Sequence, residues 1–143
     1  MAAQNFKNHQ KFVPAFHFVA GPIFMFYVVW TIVRMVRHFS ADNLVSVLVA
    51  IALLIIAFEA RLFALRVQDR VIRLEMRLRM REVLPAELQT RVPEFTVGQL
   101  IALRFAGDAE LPGLARKVLE EKLNDRTAIK KMVQNWQPDT LRA

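Results

Sequence analysis

Two long apolar runs separated by a short polar break dominate the first half of the chain. From Phe12 to Val33 there is no Asp, Glu, Lys or Arg, and a bilayer core of about 30 Å needs about twenty helical residues. This predicts a first transmembrane helix over 12–33, preceded by a segment at 1–11. It reads as an uncleaved span: it exceeds the ~7–15-residue apolar stretch of a signal peptide, and no small-residue cleavage site follows. Pro22 within it predicts a kink near Phe18, because proline leaves a backbone carbonyl without its donor. The second run, Leu44 to Phe58, would rise only about 22 Å as a helix. The second span therefore continues to Leu65 and takes in Glu59 and Arg61 near its end, where arginine can snorkel to the headgroups. A loop at 34–43 joins the spans, with Ser40, Asp42 and Asn43 supplying the turn and N-cap.

No proline or glycine interrupts Leu44 to Leu84, so the second span (44–65) runs on into a basic helix over 66–84, about 61 Å in all, and ends at Pro85. Arg66, Arg70, Arg73, Arg77 and Arg81 recur at spacings of 4, 3, 4 and 4, which places them in one stripe. Val67, Val71, Leu74 and Leu78 line one flank. Leu65, Ile72, Met76, Met80 and Val83 line the other, and Gln68, Glu75 and Glu82 fall opposite. Asp69 with Arg73 and Glu75 with Arg79 are expected as i, i+4 pairs.

Beyond Pro85 the signals shorten. Residues 85–95 read as a linker with at most one helical turn, and 96–143 as a small helical cluster. Thr96 with Gln99 makes a capping box, and Gly107 is the expected C-cap. Asp108 is expected to start a second helix carrying Leu111, Leu114, Ala115, Val118, Leu119 and Leu123. Asn124 or Asp125 caps a third, with Ile129, Met132, Val133 and Trp136 inward, ending before Pro138. Such a cluster is small for a core of its own, and is expected to pack on the apolar flanks of the long helix. The fold class is thus an all-α membrane protein: a two-helix transmembrane hairpin, its second helix extended into the cytoplasm, and a C-terminal helical cluster.

Charge sets the orientation. The chain of 143 residues carries a net +7 with 55% hydrophobic residues. Residues 61–81 alone hold seven arginines against Asp69 and Glu75, whereas 94–143 is nearly balanced. Lys7 and Lys11 precede the first span, and only Arg34 and Arg37 lie between the spans, so the positive-inside rule puts both termini in the cytoplasm. Tyr27 and Trp30 read as interfacial belt residues. The far arginines of an upright helix lie beyond a Debye length of roughly 8–10 Å from the headgroups, so the stripe is expected to meet protein as well as anionic lipid.

Catalytic chemistry is missing from the pattern. Cysteine is absent, and the hydrolase, metalloprotease and phosphate-loop motifs do not occur. His9, His17 and His38 lack metal-ligand spacing, so no metal, cofactor or catalytic residue is expected. Nucleic acid is not an expected partner, because no aromatic residues interleave the arginines. In an antiparallel hairpin His17 meets Glu59 near the membrane edge. A carboxylate there is costly unless paired; the structural reading is a bond locking the hairpin, and the functional one is proton handling or cofactor ligation.

QNFKNH at 4–9, PAFHF at 14–18, RLFALRVQDRVIRLE at 61–75, QLIALRFAGDAELPGLA at 99–115 and IKKMVQNWQPD at 129–139 together resemble an uncharacterised bacterial family of small two-helix membrane proteins, a domain of unknown function. The resemblance implies the bacterial inner membrane and supplies no catalytic residue. The expected function is a non-enzymatic accessory or scaffold subunit docking on the cytoplasmic side of a larger transporter, respiratory or photosynthetic complex. A self-associating organiser of anionic lipid is the alternative, and a proton-handling or cofactor-ligating subunit through His17 and Glu59 comes third.

Overall fold

A computed structural model of the chain describes Phe6 and residues 13–139. Lys7, His9, Lys11 and Phe12, with most of the QNFKNH motif, lie outside the described residues. All named elements are helical: α1 (Gly21–Arg37), α2 (Ala41–Val83), α3 (Ala86–Gln89), α4 (Val97–Leu103), α5 (Leu111–Glu120) and α6 (Arg126–Met132). The chain divides into two compact units, one within Lys11–Leu65 and one beginning at Arg66, and α2 contributes to both.

Two helical stretches, Ala15–Arg37 and Ala41–Val83, are long and apolar enough to cross a membrane; the first unit holds one of them whole and the other as far as Leu65. Where a kink was expected near Phe18, a π-helical turn runs over Ala15–Ala20, followed by Gly21 and Pro22. The Gly21 N–H reaches back five residues to the Phe16 carbonyl, widening the helix where proline would otherwise break the ladder. Only residues 38–40 separate α1 from α2. There the Asn43 N–H donates to Ser40 Oγ at 3.2 Å and the Asn43 amide to the His38 carbonyl at 2.5 Å, so Ser40 is the N-cap. Thr31, Asn43, Val47 and Ala50 are buried, whereas Phe18, Phe26, Trp30, Ile55, Ile56 and Phe58 stand more than half exposed.

The second unit is built around one flank of α2. Ile72, Met76, Met80 and Leu84, spaced four apart, are buried, and α4, α5 and α6 add Leu100, Leu103, Leu111, Val118 and Ile129 to the same core. The stretch 85–95, expected as a linker, is part of this core: α3 and a 3-10 turn over Val92–Glu94 insert Leu88, Val92 and Phe95. Both apolar flanks were expected to be covered, and only this one is. Val67, Val71, Leu74 and Leu78 are 60%, 48%, 61% and 52% exposed.

The capping box forms as expected, Thr96 Oγ1 accepting from the Gln99 N–H and Gln99 Oε1 from the Thr96 N–H. The buried Gln99 amide also donates to the Leu123 carbonyl at 2.9 Å. Asp125 caps α6 through the Thr127 and Ala128 N–H groups. Two expectations fail between these caps. Helix α4 ends at Leu103 with Arg104 as C-cap, not at Gly107, and α5 starts at Leu111, not Asp108. Residues 105–107 instead pair with 135–137: Gly107 N–H donates to the Asn135 carbonyl at 3.0 Å and Gln137 N–H to the Phe105 carbonyl at 2.7 Å. A Cβ on Gly107 would lie 2.9 Å from Asn135 Nδ2, so close approach, not helix capping, requires glycine there. Trp136 is consequently not in a helix; its ring stacks on Phe105 at 4.5 Å.

Candidate functional site

Five of the seven arginines of α2, Arg66, Arg70, Arg73, Arg77 and Arg81, do occupy one face, because 100° per residue carries their 4, 3, 4, 4 spacing around the helix almost in register. Arg66, Arg70, Arg73 and Arg81 are exposed and Arg77 is half-buried. Arg77 Nε is buried without a hydrogen-bond partner among the described residues. The i, i+4 pairs expected from Asp69 and Glu75 do not form: no ion pair among the described residues involves Asp69, Arg70, Arg73, Glu75, Arg77, Arg81 or Glu82. The result is a cationic strip bordered on one side by exposed Val67, Val71, Leu74 and Leu78.

Arg79 is the reason Glu75 lacks its expected partner. It lies off the stripe and points into the second unit, 19% exposed, where its Nε donates to Asp108 Oδ1 at 2.8 Å, Nη2 to the Ala106 carbonyl at 2.6 Å and Nη1 to the Arg104 carbonyl at 3.2 Å. A planar guanidinium can satisfy three acceptors of one loop at once. Arg104, itself 8% exposed on its side chain, pairs with Asp139 at 3.0 Å and lies 4.4 Å over the Phe105 ring. Glu110 accepts from the backbone N–H groups of Gly107, Gln134 and Asn135. The one signal in the sequence is that Arg79 breaks the arginine spacing; nothing in it points to Asp108 as the partner. Ile72, Met76, Arg79, Arg104 and Asp139 also line a cavity of about 230 Å³.

In the first unit the ring of Phe16, next to His17, meets that of Phe58, next to Glu59, edge to face at 6.5 Å. His17 lines a largely apolar cavity of about 310 Å³ with Pro22, Phe24, Leu54, Ala57 and Phe58, and Glu59 is not part of that lining. The His17 Nδ1 atom meets the Val13 backbone, 3.2 Å from its N–H and 3.0 Å from its carbonyl. Among the described residues no group of three or more His, Asp or Glu side chains could hold a metal ion.

Fold and surface together define an all-helical protein with two helices apolar enough for a membrane and an exposed arginine strip on the second. The chain belongs to DUF6526, a family of unknown function, whose model matches residues 1–143. No curated protein and no solved structure matches it.

Proposed function

We propose that this protein is a non-enzymatic accessory or scaffold subunit of the bacterial inner membrane. Its two apolar helices form a transmembrane hairpin with both termini in the cytoplasm, and its arginine strip docks on an acidic surface of a larger membrane complex. One observation carries this reading: Arg70, Arg73, Arg77 and Arg81 share a helix face and none has an acidic partner among the described residues. The same chain pairs Arg79, Arg91, Arg104 and Arg116 with its own carboxylates, so these four charges of the strip stand apart from its internal ion pairs. An exposed basic face beside apolar side chains suits an acidic protein surface with an apolar margin. The outward apolar residues of the first unit support the membrane placement, since a soluble monomer rarely exposes so large a continuous apolar surface.

The test is gentle-detergent extraction of the tagged protein from its own membranes, followed by size separation and mass spectrometry. The unaltered protein is expected in a large assembly, and Arg66→Glu with Arg73→Glu is expected to release it as a small species that still fractionates with the membrane. An assembly unchanged by both reversals would show that the strip is not the docking surface. A small wild-type species carrying only anionic lipid would favour the lipid-organising alternative.

A further inference from the structure

The exposed flank of α2 has a heptad register. Val67, Val71, Leu74 and Leu78 are spaced 4, 3 and 4 apart, which fixes Val67 and Leu74 as d positions and Val71 and Leu78 as a positions. With that register Arg70 and Arg77 fall at g, and Glu75 and Glu82 at e. In a parallel pair of helices a g residue faces the e residue five positions later on the other helix. Arg70 then faces Glu75 of a second copy, and Arg77 faces Glu82, each twice by symmetry. An antiparallel pair would set g against g and e against e, arginine on arginine and glutamate on glutamate. The four charged residues have no ion pair among the described residues, and the four apolar residues between them are about half exposed or more.

We infer that residues 67–82 of α2 pair with the same segment of a second copy of this chain as a parallel two-stranded coiled coil. The occupant is another copy because the seam is self-complementary in both respects, apolar at a and d from Val67 to Leu78, with Arg81 at the next d position closing it, and opposite in charge at g and e, which a symmetric interface requires. The pairing uses Arg70 and Arg77. Arg66 and Arg73, at c positions on the far edge of the strip, lie outside the seam, so the failure of this inference and that of the docking reading can be told apart.

Because the chain has no cysteine, one introduced thiol reports on one position. Full-length Leu74→Cys, reconstituted in vesicles and mildly oxidised, is expected to form a disulfide-linked homodimer, d residues of parallel helices being within bridging distance. Asp69→Cys, at f on the opposite face, is not. On the Leu74→Cys background, Arg70→Glu with Arg77→Glu places like charges at every g–e contact and is expected to weaken self-association about tenfold. Glu75→Arg with Glu82→Arg does the same. Mixing the two differently tagged variants restores opposite charges at every contact and is expected to recover the cross-link as a heterodimer. Equal cross-linking of Leu74→Cys and Asp69→Cys, or no recovery on mixing, would overturn the inference. Leu74→Cys retains the native charges and Asp69→Cys alters no g or e residue, so the cysteine comparison decides the matter even where a charge variant fails to fold.

Discussion

Replacing Arg79 with alanine tests whether the cluster is held on α2 by the guanidinium clamp or by apolar contact alone. Three hydrogen bonds are lost. A bond to a charged group is worth about 1.5–3 kcal/mol when well formed and buried, and the contact with the Ala106 carbonyl at 2.6 Å meets that description, Ala106 being fully buried. The contact with the Arg104 carbonyl at 3.2 Å is longer, and Asp108 is 65% exposed, so screening reduces that pair to well below 1 kcal/mol. The expected cost is about 3 kcal/mol, or more than about 10 °C in the melting of a domain this small. Arg79→Lys should recover little of it, because an ammonium cannot span three acceptors in a plane. Arg73→Ala, on the same helix but exposed and without an ion pair among the described residues, should change stability by no more than about 0.5 kcal/mol. Urea titration of the full-length protein in detergent, followed by Trp136 fluorescence in a Trp30→Phe background, reads the second unit directly, since the Trp136 ring stacks on Phe105. If Arg79→Ala melts with Arg73→Ala, the clamp contributes nothing and burial of Ile72, Met76 and Met80 alone holds the cluster.

Two further outcomes concern the same unit. Gly113 lies inside α5, where an added Cβ would meet nothing within 4 Å, whereas Gly107 would place its Cβ 3.3 Å from the Asn135 carbonyl as well as against its amide; Gly113→Ala should therefore stabilise by about 0.5–1 kcal/mol and Gly107→Ala destabilise by about 1 kcal/mol in the same titration. The Glu94 carboxyl is held below its usual range by its hydrogen bond to Arg91 and by that residue's charge. A lowered folded pKa adds stability above the unfolded value of about 4.3 that is lost as pH falls through the folded value. The stability difference between wild type and Glu94→Gln should thus shrink between about pH 6 and pH 3, and a difference constant with pH would remove Glu94 from the acid response.

The parts of the fold set by neighbouring residues were legible in the sequence. The long α2 follows from an uninterrupted run up to Pro85, the cap of α4 from Thr96 and Gln99, and the cap of α6 from Asp125. What was not legible depends on residues far apart. Gly107 and Asp108 look like a helix stop and start until 105–107 is seen to pair with 135–137, and the stretch after Pro85 looks like a linker until Leu88, Val92 and Phe95 meet the core. The candidate site divides in the same way. Spacing alone gathered the five arginines on one face. It could not say which apolar flank the cluster would cover, and it assigned Glu75 to Arg79, which tertiary contacts take elsewhere.

That reassignment changes what the surface of α2 can do. With Arg79 turned toward Asp108, Glu75 lacks its expected partner, and α2 presents exposed arginines and glutamates that make no ion pair among the described residues. Arginine alone on the face would favour acidic partners only, and a second copy would be repelled. Glutamates at 75 and 82 on the other border of the apolar flank make self-pairing favourable in the parallel sense and unfavourable in the antiparallel one. Two copies paired this way would carry two outer edges with Arg66 and Arg73, and an acidic partner engaging both would gain from effective concentration without any new contact. Charge reversal at 70 and 77 should therefore weaken self-association first and partner docking second, whereas reversal at 66 and 73 should weaken docking and leave the pair intact. If reversal at 66 and 73 dissolved the homodimer as well, the strip would be one undivided surface and the division into two edges would be wrong.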